Sequence, residues 1–252
     1  MAAQRATFAR VPSPHGRAEA DQLLQEDVAG GIAVRRTELT GYLQARTAFF
    51  DRFVVDSIAR GASQIVTLGA GYDGRSLRYA SVDVRWFELD HPDTQADKRA
   101  RLARLQIDPG PTKFVAVDFA VDDVALALRR AGHNAARSTA YLCEGVSPYL
   151  SQSVLALLIT ALGRSAGPAS ELAIEIALVP SSAADRRRRA RLQARVANLG
   201  EPLQTAIPPE QLEGLFATAG WRIAAASDPA GVDLDRSRRS VAFVVAVPAA
   251  PE

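Results

Sequence analysis

The sequence has few of the residues that form disulfides, bind metals or act as bases near neutral pH. Its 252 residues include one cysteine, Cys143, and three histidines, His15, His91 and His133. A single cysteine excludes an internal disulfide and is typical of a reducing compartment, so we expect a cytoplasmic protein. Because no histidine stands in a convincing catalytic context, we predict neither a histidine base nor a bound metal.

Long apolar runs and an excess of charge are also missing. No apolar run approaches the roughly 20 residues that span a bilayer. Lysine and arginine number 30 against 28 acidic residues, which leaves a net charge of +2. We therefore expect neither a membrane nor a nucleic acid as partner. The length and the 48% share of hydrophobic residues fit one globular domain, either a monomer or a homodimer.

Short apolar segments alternate with helical patterns along the chain. The apolar segments predict seven strands, at residues 64–68, 84–89, 113–117, 139–143, 171–178, 221–226 and 240–247. The helical patterns cover residues 18–29, 36–60, a short stretch from about 76, 92–105, 121–131, 151–163, 186–198 and 209–219. Such alternation predicts an α/β fold with a doubly wound, mostly parallel sheet.

The last two predicted strands are joined differently from the others. About 13 residues separate them, which is too short for a helical crossover and predicts an antiparallel hairpin at one edge of the sheet. Seven strands ending in this way are the Rossmann-like architecture of class I methyltransferases. Residues 1–60 are predicted to form an N-terminal helical cap, and 61–252 the core, with a lid helix near 183–200.

The segment TLGAGYDGRSLRY, residues 67–79, contains a G-x-G-x-x-G pattern at Gly69, Gly71 and Gly74. This pattern usually indicates a dinucleotide whose pyrophosphate lies at a helix N-terminus. Asp73 opposes that interpretation, because a pyrophosphate prefers bare N–H groups and positive charge. S-adenosylmethionine carries a sulfonium and an ammonium and no phosphate. The loop therefore favours this cofactor, with an NAD-dependent oxidoreductase as the alternative.

Acidic residues follow the first four predicted strands. They are Asp73, Glu88 with Asp90, Asp118 and Glu144. Ligands of open parallel sheets bind beyond the carboxyl ends of the strands, so these acids are expected to line a crevice that attracts a cation. Asp90 lies 90 − 69 = 21 residues after Gly69, a spacing at which an acid reaches ribose hydroxyls.

Five motifs in order carry a family resemblance: QARTAFFDRF, QIVTLGAGYDGRSLRY, WFELDHPDTQADKRARL, VAVDF and YLCEGVSPYL. They resemble the leucine carboxyl methyltransferase family, and within it the bacterial branch that includes polyketide carboxyl O-methyltransferases. The resemblance covers roughly residues 40–165 and the later AGW segment. It implies a class I methyltransferase that converts S-adenosylmethionine to S-adenosylhomocysteine. The chain lacks the long insertions of the eukaryotic members, which argues against a protein C-terminus as substrate.

The resemblance also implies a set of cofactor contacts. Arg46 is similar to the arginine that holds the cofactor's carboxylate, and Asp90 to the acid that binds the ribose. The remaining positions are Gly69, Ala70 and Gly71 for the amino-acid part, Glu88 at the second strand end, Asp118 and Phe119 for the adenine, and Glu144 with Gly145 near the methionine part. Structural roles stay open for several of them: Asp90 and Asp118 as helix caps, and Arg46 as an ion-pair partner of Asp51 or Glu38.

The substrate is expected to be a small acid of the natural-product type, methylated on oxygen. A carboxylate with a pKa of about 4 is ionised at neutral pH and needs no base, whereas a phenol with a pKa of about 10 would benefit from one. Tyr149, Tyr42 and Arg17 are candidates for positioning it, and the helix carrying Arg186–Arg189 for a lid. Methylation of a phenolic or alcohol hydroxyl, or a non-catalytic methyltransferase-like partner subunit, remains an alternative.

Overall fold

The computed structural model describes residues 2–31, 38–197, 202–234 and 240–250. Its strands are Gln64–Leu68 (β1), Arg85–Asp90 (β2), Lys113–Ala116 (β3), Thr139–Cys143 (β4), Glu171–Ala177 (β5), Trp221–Ser227 (β6) and Val241–Pro248 (β7). Its α-helices are Ala2–Arg5 (α1), Ala18–Ala29 (α2), Glu38–Ala59 (α3), Arg75–Arg78 (α4), Pro92–Arg104 (α5), Val124–Arg130 (α6), Gln152–Ser165 (α7), Ala183–Ala197 (α8) and Leu212–Thr218 (α9). Short 3₁₀ turns occupy Ser147–Tyr149 and Pro209–Gln211.

The seven strands form one sheet in the order β3-β2-β1-β4-β5-β7-β6. The first five strands are parallel to one another, whereas β7 runs antiparallel to both β5 and β6. The predicted doubly wound sheet with a C-terminal antiparallel hairpin is therefore confirmed. In this arrangement β7 is inserted between β5 and β6, so the hairpin completes the edge of the sheet beyond β5.

Both faces of the central strands are covered. β1 and β4 are buried along their whole length, as expected for parallel strands with helices on each side. On one face Phe50 and Phe53 of α3 pack with Ile65 and Leu142, and on the other α6, α7 and α9 cover Val66 and neighbouring residues. The alternation of side chains along each strand divides the core between these two layers.

Helices α6 and α8 each begin three residues away from the predicted start. α6 begins at Val124 instead of residue 121, because the Asp123 side chain accepts a hydrogen bond from the Leu126 N–H at 3.0 Å. α8 begins at Ala183 instead of residue 186, because Ser182 Oγ accepts from the Asp185 N–H at 3.0 Å. In both cases a short polar side chain caps the first turn. Residues 36–37 of the predicted second helix, and 198–200 at the end of the predicted lid, lie outside the described residues.

The parallel strands bring their carboxyl ends to one edge of the sheet. The loops that follow β1, β2, β3 and β4 therefore meet there. Helices α1, α2 and α3 lie within residues 1–60, and their division from the core as a cap stays a prediction. No helix in the described ranges is long and apolar enough to cross a membrane.

His133 is a buried histidine of the core and gives a first testable prediction. Its Nε2 lies 3.0 Å from Thr139 Oγ1, and burial lowers its pKa from 6.5 to about 4. Between these two values the unfolded chain binds a proton that the folded protein does not, so stability falls as the pH falls. We expect the free energy of unfolding to drop by about 1–2 kcal/mol from pH 7 to pH 5.

Urea denaturation at the two pH values measures this drop. His133→Gln keeps a polar group beside Thr139 without the titration, and its stability should stay level over the same interval. An equal drop in the wild type and in the variant would contradict the assignment to His133.

Candidate cofactor site

The glycine loop after β1 has a backbone that only glycine adopts easily. Gly69 and Gly71 have φ angles of +59° and +48°, in the left-handed region. A Cβ on Gly69 would lie 2.4 Å from Val146 Cγ2. The loop is joined to the second strand, since the Ala70 N–H donates to the Leu89 carbonyl at 3.0 Å and the Gly71 N–H donates to the Asp90 carboxylate. At Gly69 and Gly71 the half-buried backbone reaches this edge of the sheet without a side chain.

Asp90 ends β2 beside this loop, as predicted. Its Oδ1 accepts from the His91 N–H at 2.7 Å, and His91, not Asp90, caps α5. A carboxylate has about four lone-pair positions, so Asp90 retains acceptors after its two backbone contacts. The chain after β3 lies next to it, because the Val117 N–H donates to the Asp90 carbonyl at 2.9 Å. This contact brings half-buried Asp118 and Phe119 to the same end of the site.

Glu144 follows β4 and lies among three arginines. Its side chain is 5% exposed, and it accepts from Arg46 Nε at 3.0 Å, Arg75 Nη1 at 2.5 Å and Arg5 Nη2 at 2.8 Å. Burial alone would raise its pKa, but the charges of Arg5, Arg75 and Arg46 hold the pKa of Glu144 well below its ordinary value. The carboxylate is therefore ionised at neutral pH.

Arg46 links Glu144 to a second buried acid, Glu175 of β5. Arg46 Nη1 lies 3.0 Å from Glu175 Oε2, which also accepts from the Gly145 N–H at 3.0 Å. The Tyr42 hydroxyl donates to the other oxygen of Glu175. Arg46 thus pairs with two site carboxylates and not with Asp51 of its own helix, while the side chain of Glu38 lies outside the described part of the chain. Glu175 was not predicted, because in the sequence it is one polar position within an apolar strand.

Asp73 has a different role from the one predicted. It does not face the crevice as a free charge, because Arg75 Nη1 lies 2.5 Å from its Oδ2 and the Arg75 N–H donates to Oδ1 at 2.8 Å. Although burial would raise it, Arg75 and Arg5 hold the pKa of Asp73 below its ordinary value. The inference of a cationic cofactor from Asp73 therefore loses its direct basis, and Asp90, Asp118 and Glu144 are the predicted acids that remain at this edge of the sheet.

Arg75 is the centre of a larger group of charges. Its side chain is completely buried, and its Nε donates to Asp51 Oδ1 at 2.7 Å. Asp51 in turn accepts from Arg10 Nε at 2.6 Å, and Arg10 contacts Asp21 at 2.9 Å. We call the whole group the ionic cluster, which consists of Arg5, Arg10, Arg46, Arg75 and Arg78 with Asp21, Asp51, Asp73, Glu144 and Glu175. Five cations face five anions, so the formal charges cancel.

Two of the predicted site residues are not brought to the crevice. Glu88 is buried beneath the loop, where it accepts from Lys98 Nζ and Ser76 Oγ, each at 2.6 Å. Lys98 Nζ also donates to the Asp73 carbonyl at 2.6 Å, so this pair supports the loop from below. The Arg17 guanidinium donates to the Asp108 carbonyl, in the loop that precedes β3 at the opposite edge of the sheet. Tyr42 and half-buried Tyr149 lie near the end of β4.

The residues present fit S-adenosylmethionine. The acid–arginine pair Glu144 and Arg46 is complementary to the ammonium and carboxylate of an amino acid. Beside it, Gly71 leaves room for close approach, and Asp90 offers acceptors for ribose hydroxyls. Arg5 Nε is buried without a hydrogen-bond partner among the described atoms. A bound ligand with an acceptor atom would satisfy this donor. In the described ranges no group of three His, Cys, Asp or Glu residues could hold a metal ion.

The sheet order and this site define the class of the protein, the class I S-adenosylmethionine-dependent methyltransferases. The model of the leucine carboxyl methyltransferase family matches residues 3–163, more than half of the chain. The chain belongs to this family, and the predicted resemblance is confirmed. Membership argues against the alternative of an NAD-dependent oxidoreductase.

The relatives agree with this assignment. A protein of Mycolicibacterium paratuberculosis, provisionally described as an S-adenosyl-L-methionine-dependent methyltransferase, is 34% identical over 170 residues, which cover 67% of this chain and 54% of that protein. A Parafrankia protein with the same description is 33% identical over 154 residues, 61% of this chain and 50% of its own. The chain thus spans about half the length of the curated relatives it matches. These descriptions support the predicted cofactor.

Solved structures show the same fold at low sequence identity. A methyltransferase structure from Thermobifida fusca superposes with a TM-score of 0.60 at 19% identity, covering 92% of this chain and 89% of the other. The O-methyltransferase NcsB1 of neocarzinostatin biosynthesis superposes with a TM-score of 0.50 at 15% identity, covering 81% and 58%. NcsB1 was solved with S-adenosylmethionine and 2-hydroxy-5-methyl naphthoic acid.

Proposed function

We propose that the protein transfers the methyl group of S-adenosylmethionine to a carboxylate oxygen of a small acidic metabolite. The observation that carries the proposal is the buried pair of Glu144 and Arg46, 3.0 Å apart beside the glycine loop. The pair matches the amino-acid end of the cofactor, and Asp90 matches its nucleoside end. The family, named for a carboxyl methyltransferase, supports a carboxylate as the acceptor.

In this reaction the protein binds and orients the cofactor and the acceptor, and it excludes water from them. The bound cofactor supplies an activated methyl group on a sulfonium, so the chain need not provide a nucleophile. Glu144 and Arg46 fix the amino-acid end, while Glu175 holds Arg46 and the Gly145 backbone in place. An acceptor oxygen held in the reactive orientation then gains the rate advantage of proximity.

The placement of possible bases favours a carboxylate over a hydroxyl acceptor. His133 is buried in the core, and His15 and His91 are exposed. The Tyr42 hydroxyl donates its proton to Glu175, so Tyr42 is not poised to accept one. Burial and the charge of Glu175 raise the pKa of Tyr42 further, which keeps the phenol protonated. A carboxylate acceptor requires no deprotonation at neutral pH.

Methyl transfer to a panel of small carboxylic acids tests the proposal. The purified protein is incubated with S-adenosylmethionine and each acid, and methyl esters and S-adenosylhomocysteine are quantified by mass spectrometry. For an acid that is converted, turnover should stay level from about pH 6 to pH 8, because the acceptor is fully ionised there. If only phenols are converted, at a rate that rises with pH, the acceptor is a hydroxyl group. If the cofactor binds but no acid or phenol is converted, the protein is a non-catalytic subunit.

Asp90→Ala is expected to weaken binding of S-adenosylhomocysteine by about 10- to 150-fold. Loss of hydrogen bonds to an ionised carboxylate costs about 1.5–3 kcal/mol. Isothermal titration calorimetry measures the dissociation constant, and a thermal melt shows whether the variant is folded. Asp93→Ala is the matched control, since the Asp93 side chain lies in the first turn of α5 and is 94% exposed. If both variants bind like the wild type, Asp90 does not contact the ribose.

A further inference from the structure

Helix α8 concentrates the positive charge of the chain. It contains six arginines and one acid, Asp185, whereas the whole chain has a net charge of +2. The helix thus contributes +6 − 1 = +5, and the rest of the chain +2 − 5 = −3. Arg186, Arg187 and Arg191 are exposed, and the structure pairs none of these three described side chains with an acid. An uncompensated patch of this size attracts anions.

Arg189 is half-buried, whereas Arg186, Arg187 and Arg191 of the same helix are exposed. Its Nη2 donates to the Thr205 carbonyl at 2.9 Å, and no carboxylate among the described residues lies within salt-bridge distance of it. Burial without a counter-charge lowers its pKa. Every arginine of the ionic cluster, by contrast, contacts at least one carboxylate. A partly desolvated guanidinium without an anion is costly. Binding of an anion to Arg189 would offset this cost.

Arg189 is connected through Thr205 to the segment that follows β4. The Thr205 N–H donates to the Pro148 carbonyl at 3.2 Å, and Thr205 Oγ1 donates to the Leu150 carbonyl. Pro148 and Leu150 belong to the segment that directly follows Glu144 and Gly145 at the end of β4. The hydrogen bonds therefore connect the Arg189 guanidinium to the loop that borders the methionine end of the site.

We infer that Arg189 binds the carboxylate of the substrate, and that the exposed arginines of α8 draw the anion toward it. This inference rests on the proposed function and deepens it, because it names the residue that recognises the acidic group. A guanidinium presents paired N–H donors that match a carboxylate in two hydrogen bonds. The ligand proposed for α8, the helix predicted as a lid, is a small monocarboxylate.

Binding of 2-naphthoate and its neutral isostere 2-naphthamide to the protein saturated with S-adenosylhomocysteine tests the inference. Calorimetry of the wild type should show the carboxylate binding at least about tenfold more tightly than the amide. Arg189→Gln should abolish this preference, and Arg189→Lys, which keeps the charge but not the paired donors, should retain part of it. Arg187→Gln is the matched control on the exposed face, and its preference should stay within about threefold of the wild type.

The outcomes separate the inference from the proposed function. A wild-type preference that Arg189→Gln leaves unchanged, in a variant whose melting curve is normal, would overturn the role of Arg189. No preference in the wild type would overturn it as well. If Arg189→Gln does not fold, Arg189→Lys provides the test. A preference for the carboxylate over the amide that is unchanged in Arg189→Lys would contradict recognition by the paired donors of the guanidinium. A preference for naphthoate in the binding test, combined with no methyl transfer to any acid of the panel, would support the anion site and contradict the proposed function.

Discussion

Arg75→Met is expected to lower the free energy of unfolding by about 3–5 kcal/mol, the cost of removing one partner from a buried ionic network. The Arg75 side chain is fully buried and contacts Asp51, Asp73 and Glu144. Its loss leaves three buried carboxylates with one cation fewer, while methionine fills a similar volume. Urea denaturation monitored by circular dichroism measures the change.

Arg60→Met provides the control for this variant. Arg60 also lies close to an acid, 2.5 Å from Glu171, but its side chain is 54% exposed. Exposed ion pairs contribute about 0–1 kcal/mol, so Arg60→Met should change stability little. Equal effects of the two substitutions would show that Arg75 is not the centre of the ionic cluster.

Gly69→Ala is expected to destabilise the protein by about 2–5 kcal/mol and to displace the glycine loop. The left-handed backbone at φ +59° costs an alanine about 1–2 kcal/mol. The new Cβ would also lie 2.4 Å from Val146 Cγ2, so one of the two segments must move. Overpacking of this kind costs about 1–3 kcal/mol more. Because Val146 follows Glu144 and Gly145, we expect weaker cofactor binding as well.

Gly71→Ala separates the two contributions. Gly71 has a similar φ of +48°, but the nearest atom to its Cβ position is the Gly69 carbonyl oxygen at 4.0 Å. It should therefore show the backbone cost without the clash. In a double-mutant cycle, Val146→Ala should recover the steric part in the Gly69→Ala background. A Gly69→Ala variant as stable as Gly71→Ala would exclude the contact with Val146.

The sequence was sufficient to predict the features that depend on local patterns. Apolar segments such as QIVTL and TAYLC produced strands because helices cover both of their faces. The short connection before β7 predicted its antiparallel direction, since no crossover helix fits there. Asp90, Glu144 and Arg46 were found through motifs that keep fixed positions relative to these strands. The structure places Asp90 and Glu144 at the strand ends, where Arg46 of α3 contacts Glu144.

The contacts that the sequence did not predict join residues far apart in the chain. Arg10 and Arg75 meet at Asp51, and Arg46 meets Glu175 across 129 positions. No local pattern distinguishes a buried arginine from an exposed one, because its surroundings are set by packing. For the same reason Glu88 was taken for a crevice residue, whereas Lys98, ten residues later on α5, holds it beneath the loop.

The balance of charge in the ionic cluster has an evolutionary consequence. Because five arginines face five carboxylates out of water, a neutral substitution at one position leaves an opposite charge without its partner. Arg10, for example, lies between Asp21 and Asp51, and its loss alone would be selected against. Homologues without an arginine at this position should therefore also lack one of these two aspartates, so that the positions vary in pairs. The segment that carries Arg10 is therefore expected to evolve together with α2 and α3, although loops usually diverge fastest.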